Sequence, residues 1–361
     1  MTSAEAGHAD ANLAESDARI GPVRIRACGP DASLSYLADT FFRCETDLHN
    51  VTDREYEIFE LGHLPDALGF SAYGSTVTRR GYGMDDLQVS FSSAGDVLCH
   101  VPPGERSIPY TLFRSGRRVH VYSGQSQASI LTSVAREIWR REVENLGGVI
   151  IHAGCAALAD GTGVLIAGPK GAGKTSALLS LGSCGATIVE NDRTALFLRD
   201  GRIYGTSVPI TIRIGRGTLR GLGILAGLPE AAADRIYKRK IGFTRRQLAE
   251  TLKARLKGSA EVHSLVFPRR CDVGLALEPI TRDKVRKRLL RYQYTPQDPG
   301  LPGDLLGLRS LDSREVHDNG QRILARLADI PAFGAVHDGA SKKFGYWLHE
   351  HLGPEMIGAR P

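Results

Sequence analysis

The sequence predicts an α/β chain in two parts: a strand-rich α+β N-terminal domain, then a domain built around a phosphate-binding loop. Three observations predict it. Residues 21 to about 127 break into short alternating or β-rich runs separated by turn residues. The stretch Gly168-Pro169-Lys170-Gly171-Ala172-Gly173-Lys174-Thr175 fits G-x-x-x-x-G-K-[ST]. That loop is entered from the apolar run Gly163 to Ala167, a buried strand, and left through Ser176-Ala177-Leu178-Leu179, a helix start.

Taken in order, residues 1–20 read as a disordered tail, because they are Ala-rich, polar and acidic. Residues 21–128 form the strand-rich domain. Its strands are Val23 to Arg26, Tyr56 to Leu61, Leu87 to Phe91, Tyr110 to Phe113 and Arg118 to Tyr122, where apolar and polar residues alternate or β-formers cluster. Residues 129–361 form the loop-bearing domain. It opens with a helix over Ser129 to Leu146, in which Ile130, Val134, Ile138, Trp139 and Val143 recur near a 3.6 period. Strands follow at Gly148 to His152, Thr187 to Glu190, Ala195 to Leu198, Ile210 to Ile214, Val262 to Phe267 and Val273 to Leu277. Helices follow at Arg245 to Leu256 and Ser313 to Ala328.

The loop motif carries chemistry because its glycines let backbone N–H groups wrap phosphates. Gly168 through Ser176 is therefore the candidate nucleotide-binding segment. Lys174 is placed to reach the β- and γ-phosphates, and the Thr175 hydroxyl to ligate Mg²⁺. The helix N-terminus after the loop adds a favourable field for anions. The motif points to a nucleoside triphosphate, ATP, with Mg²⁺.

Bulk properties narrow the class. Hydrophobic residues are 42% and charged residues 24% of the 361, an ordinary globular balance. No apolar run approaches a membrane span and no secretory pattern opens the chain, so the cytoplasm is the expected compartment and no membrane partner is expected. The six cysteines are scattered without a C-x-x-C pair, which favours free thiols over disulfides or a zinc site. The net charge of +6 is concentrated locally, in Arg235 to Arg246 and Arg282 to Arg291. No nucleic-acid-binding pattern accompanies these clusters, so they read as solvated helix faces or as a cleft that attracts an anion.

Beyond the loop, two features line up with it. His152 ends a strand and is followed by Ala153-Gly154. The apolar strand Ile188-Val189 ends in Glu190-Asn191-Asp192-Arg193. With the later run Arg220-Gly221-Leu222-Gly223-Ile224, this order resembles the HPr kinase/phosphorylase superfamily, whose nucleotide fold is shared with ATP-type phosphoenolpyruvate carboxykinases. The resemblance covers roughly residues 145 to 225 and is weaker to about 340. It implies that His152 contacts the acid at the second strand end and that an Asp there serves as base toward the acceptor hydroxyl. The family usually shows two adjacent Asp residues; this chain has Asn191-Asp192. Bifunctional members carry a Glu two residues before the Arg of Arg-Gly-Leu-Gly-Ile, and this chain has Thr218 there. The resemblance is thus to divergent single-purpose kinases of the superfamily, some of them in natural-product biosynthesis.

The residues alone support the same chemistry. Phosphoryl transfer needs charge neutralisation, an in-line acceptor and a carboxylate to orient it. Lys174, Asp192 and His152 are the candidate catalytic residues; Thr175 and Asp192 are the candidate metal ligands. For His152 the alternative is a satisfied core imidazole, and for Asp192 a loop cap or a Mg²⁺ ligand. The expected activity is a kinase with an alcohol acceptor. The acceptor is a small, anionic metabolite of nucleoside or sugar-acid type, in preference to a serine of a peptide or carrier protein. A non-kinase ATPase switch is the further alternative, nucleic acid is disfavoured as a partner, and a homo-oligomer is left open.

Overall fold

Alternating side chains in the N-terminal half bury one face of a sheet. The structure is a computed structural model that describes residues 14–20, 23–44, 54–62, 75–79, 87–101, 109–124, 128–208, 210–225, 236–237, 240–271, 274–292 and 304–353. Strands β1 (Ala14–Ile20), β2 (Val23–Gly29), β3 (Arg54–Leu61), β4 (Ser75–Arg79), β5 (Leu87–Phe91), β6 (Val97–Val101), β7 (Tyr110–Ser115) and β8 (Arg118–Tyr122) form an eight-stranded sheet in the order β1-β2-β3-β8-β7-β6-β5-β4. In β2, Val23, Ile25 and Ala27 point into the core while Arg24 is exposed, the period-2 pattern of a half-buried strand.

Helices α1 (Asp31–Thr40) and α2 (Ser129–Asn145) cover the inner face. The apolar stripe of α2 enters the N-terminal core, with Ile138, Trp139 and Val143 fully buried. The sequence pattern places α2 in the second domain, whereas it packs in the core of the first. Ile150, Ala195, Phe197 and Val208 join that same core, so the two parts share one apolar seam. The polar side of α2 is buried as well. Arg141 Nε donates to Glu137 at 2.8 Å, and Arg141 and Arg309 both donate to Glu144, at 2.9 and 2.7 Å. Losing one member of such a buried network costs about 3–5 kcal/mol, because a charge is left without its partner.

A correction concerns the start of the chain. Residues 14–20 fall within the expected tail, yet they form β1, paired antiparallel with β2 from Ala14↔Gly29 to Ile20↔Val23. An edge strand needs only backbone pairing and one packed face. Ala14 packs on the core, and Arg24 Nε donates to Asp17 at 2.9 Å, so polar composition does not preclude order here. A chain lacking residues 1–20 should therefore melt roughly 2–6 °C below one lacking residues 1–13. Equal melting temperatures in thermal scans would remove β1 from the fold.

The second part holds three sheets among the described residues, the central one mixed. Its strands are β9 (Val149–Ile151), β10 (Ala153–Ala157), β11 (Gly163–Ala167), β12 (Thr187–Glu190), β13 (Thr194–Arg199), β14 (Arg202–Ser207), β15 (Ile212–Gly215), β16 (Ile236–Tyr237), β17 (Lys240–Phe243), β18 (Arg255–Leu256), β19 (Ser259–Glu261), β20 (Ser264–Arg270), β21 (Ala276–Pro279) and β22 (Ala332–His337). The central sheet runs β18-β12-β10-β11-β20-β22-β21, and β11, β20 and β22 are parallel. Strands of a sheet covered on both faces read as apolar runs, as β11 and β20 do. One face is covered by α3 (Lys174–Ser183) and α8 (Lys342–Leu352), the other by α6 (Arg282–Leu290) and α7 (Ser313–Leu327). The short helices α4 (Arg216–Gly221) and α5 (Arg245–Leu252) flank the α3 side. The helix expected over Arg245 to Leu256 stops at Leu252, because Lys253 takes a left-handed conformation (φ 49°) and β18 begins at Arg255. The expected strand at Val273 falls partly outside the described residues; β21 starts at Ala276.

Candidate active site

The sheet register brings the predicted residues to one edge. Strand β11 delivers Ala167 and then the loop. Its antiparallel neighbour β10 pairs Ala153 with Ala167, so His152 stands beside the loop's entry. On the other side β10 pairs Cys155 with Glu190, so Asn191 and Asp192 run off β12 toward the same edge. Ligands in open α/β sheets bind at such strand ends.

The loop has the backbone its sequence requires. Gly171 and Gly173 have φ of +87° and +103°, conformations side chains rarely adopt. At Gly173 space is also closed: a Cβ would fall 2.1 Å from His337 Nε2. His337 is not among the residues that the sequence pattern singles out. It ends β22, is fully buried, and stacks on Phe344 with ring centroids 4.7 Å apart. Its Nδ1 and Nε2 face the carbonyls of Gly339 and Ala172 at 3.2 and 3.4 Å, so it buttresses the loop from beneath. Its only sequence signal is a histidine at the end of the apolar run Ala332 to Val336.

Lys174 is 7% exposed, and its Nζ donates to Gly168 O at 2.9 Å and Pro169 O at 3.2 Å. Burial lowers its pKa to about 8, only partly offset by Asp192. Ser176 Oγ lies 3.0 Å from Thr218 Oγ1, so α4, which begins the Arg220-Gly221-Leu222-Gly223-Ile224 segment, packs against the first turn after the loop. Thr175 is half-buried in that turn.

His152 Nε2 and Asp192 Oδ1 are 3.0 Å apart. Burial pushes the Asp192 carboxyl up. The His152 hydrogen bond, together with the charges of Arg193 and Lys174, outweighs that and holds it below the usual carboxylate value. Asp192 is thus ionised at neutral pH, a hydrogen-bond acceptor more than a strong base. Its neighbour Asn191 is buried, and Asn191 Oδ1 has no hydrogen-bond partner among the described residues.

Two residues beneath the edge fix its position. Glu190 is buried; its Oε2 accepts from Ser207 Oγ at 2.9 Å and Val208 N at 3.0 Å, and its Oε1 from Asn191 N at 2.7 Å. Burial raises its pKa to about 7, and these bonds and Arg245 lower it only in part. Arg245, from the first basic cluster, is fully buried rather than solvated. Its guanidinium donates to the carbonyls of Val189, Phe42, Arg43 and Lys257 at 2.7, 2.9, 3.1 and 3.2 Å, clamping β12 to the chain that leaves α1. Of the second cluster, Arg282, Lys284, Arg286 and Lys287 on α6 are exposed. Residues Arg235, Lys238 and Arg239 lie outside the described residues.

Hard oxygen donors suit Mg²⁺. Thr175, Asp192 and the unpartnered Asn191 oxygen supply them, so the residues present fit that ion. No group of three or more His, Cys, Asp or Glu side chains placed to hold a metal occurs among the described residues. No helix among the described residues is long and apolar enough to cross a membrane.

No protein-family model and no curated protein matches the chain. Among solved structures, one titled as the Hpr(Ser) kinase/phosphatase from Coxiella burnetii matches at 13% identity. The match covers 56% of this chain and 91% of that one, with a TM-score of 0.26. A superposition that loose does not establish a common fold, so the functional reading rests on this chain's own geometry.

Proposed function

We propose that the protein is an ATP-dependent phosphotransferase that moves the γ-phosphate to a hydroxyl of a small, anionic metabolite. The observation that carries this reading is the His152–Asp192 pair, 3.0 Å apart, at the sheet edge that also bears the loop and Lys174. Lys174 exchanges its two loop carbonyls for phosphate oxygens. Loop amides hold the rest of the triphosphate. Bound Mg²⁺, held by Thr175 with Asp192 near, would draw charge from the phosphate oxygens. Asp192, oriented by His152, accepts the hydrogen bond of the acceptor hydroxyl and aims its oxygen at the γ-phosphorus. The new O–P bond forms as the bond to the β–γ bridging oxygen breaks, and the hydroxyl proton passes to Asp192 and then to solvent. A loose transition state asks little basicity of the carboxylate, which agrees with its low pKa.

Depressed Lys174 basicity has a measurable consequence. In the free protein this lysine is about half neutral at pH 8, and phosphates restore its charge. Mg·ATP binding at pH 8 should take up about half a proton, falling toward none at pH 6.5. Calorimetry in buffers of different ionisation enthalpy reads this directly; uptake that does not change between the two pH values would contradict it.

The reading itself is tested with γ-labelled ATP and a cell metabolite extract. Label should move to small molecules, with little phosphate released when the extract is omitted. Rapid hydrolysis without an acceptor would mark a switch ATPase, and label on protein would mark a peptide or carrier substrate.

A further inference from the structure

Strands β20 and β22 turn alternate residues to opposite faces of the central sheet. Val266, Phe333 and Ala335 pack on the α3 side, and Phe267 and Ala332 on the α6 side. On the α6 side a cleft of about 280 Å³ opens between helix and sheet. Phe267 and Arg269 of β20, Gly334 of β22, Glu278 of β21, and Lys284 and Arg288 of α6 line it.

Register fixes its height. Ile166 pairs with Val266, and Phe267 with Gly334, so the cleft is level with Ala167, the residue before the loop. It is nevertheless a separate place. Strand β20 stands two strands from β10, about 10 Å from the strand that His152 follows.

The lining is charged in one sense. Arg269, Lys284 and Arg288 are positive and Glu278 is negative, and none of the four is in an ion pair among the described residues. Arg282, on the same helix but outside the cleft, pairs with Asp329 at 2.8 Å. Arg288 is half-buried, its guanidinium 5.2 Å from the centroid of the Phe267 ring. An arginine held by its face against a ring keeps its N–H edge for an oxyanion. Gly334 leaves the floor open. Its φ is outside the left-handed region, so the backbone does not call for glycine. A Cβ there would meet only Glu278 O and Ile280 Cδ1, both at 3.8 Å, and a longer side chain would occupy the cleft.

We propose that this cleft binds the phosphate group of a small phosphorylated metabolite. Three cations against one acid leave an excess of two positive charges, which a phosphate monoester of charge about −1.5 to −2 balances. Arg269 and Arg288 supply the forks and Lys284 a point charge. Glu278 accepts a hydrogen bond from a hydroxyl of the same molecule. The site does not rest on the phosphotransferase reading.

The test reads melting temperature of the full chain, wild type and Lys174→Ala, against glucose 6-phosphate, glycerol 3-phosphate and glucose. At least one phosphate ester should raise it by roughly 2–4 °C at about ten times its dissociation constant, and glucose should not. The rise should persist in Lys174→Ala, where anion binding at the loop is weakened. Arg269→Gln, an exposed change that leaves the fold intact, should weaken binding of the ester at least about tenfold, the scale of one charge-assisted bond to phosphate. Gly334→Leu should abolish the rise by filling the floor. A rise lost in Lys174→Ala alone would assign the phosphate to the loop and overturn the cleft site. A rise unchanged in both Arg269→Gln and Gly334→Leu, or no rise with either ester, would overturn it as well.

Discussion

Lys174→Ala is expected to lower phosphoryl transfer by at least about 10³-fold, the scale of removing a preorganised charge from a site where charge develops. The fold should survive the change. Lys174 is buried, but burial works against its charge, and its partners are only the carbonyls of Gly168 and Pro169 at the loop's own base. Removing it leaves those two acceptors to water and costs no apolar packing. Steady-state turnover at saturating ATP, with circular dichroism as the control, reads both halves. Near-native turnover in a folded variant would mean that the loop does not hold the reacting phosphates.

Asp192→Asn should lower turnover by roughly 10²–10⁴-fold, the range for losing a positioned proton acceptor. Nucleotide affinity should move far less, because Lys174, Thr175 and the loop amides remain. His152→Ala should be milder. It removes the partner that directs the carboxylate, not the carboxylate itself, and the Asp192 pKa should rise once the 3.0 Å hydrogen bond is gone. Activity of the His152 variant should therefore fall away at a higher pH than wild type as the medium is acidified. Single-turnover transfer and direct nucleotide binding separate the roles. If Asp192→Asn strongly weakens Mg·ATP binding while transfer from the ATP that does bind persists at near-native rate, Asp192 is a metal ligand and the acceptor is oriented by another group.

Local pattern makes much of this molecule legible. Period-2 alternation locates β2, β3 and β8, and the apolar stripe of α2 locates that helix. The loop is readable because its function demands residue types at fixed spacing, and strand, loop and helix come in the expected order. The helix over Ser313–Leu327 is marked by a stripe and closed by the Asp312–Glu315 capping box. Helix α1 escapes notice because it buries Ser33 and Thr40 along with Leu34 and Leu37, which blurs any apolar period. Helix α8 does carry a signal, Phe344, Leu348 and Leu352 after the Ser341 cap. The remaining site residues have no local mark. Arg245 sits in a basic run that looks solvated, yet four backbone carbonyls from distant segments surround it. His337 acquires its meaning from its contact with Ala172, 165 residues earlier in the chain. Strand β1 is the converse case: its low hydrophobicity reads as disorder, whereas backbone pairing to β2 orders it.

The most direct test of the central claim is a crystal structure with Mg²⁺ and a non-hydrolysable ATP analogue. The triphosphate should be wrapped by Gly168 through Ser176, with Lys174 Nζ moved from the loop carbonyls onto phosphate oxygens. The γ-phosphate should face the His152–Asp192 pair with room for a hydroxyl between. A nucleotide bound elsewhere, or one whose γ-phosphate points away from Asp192, would contradict the phosphotransferase assignment.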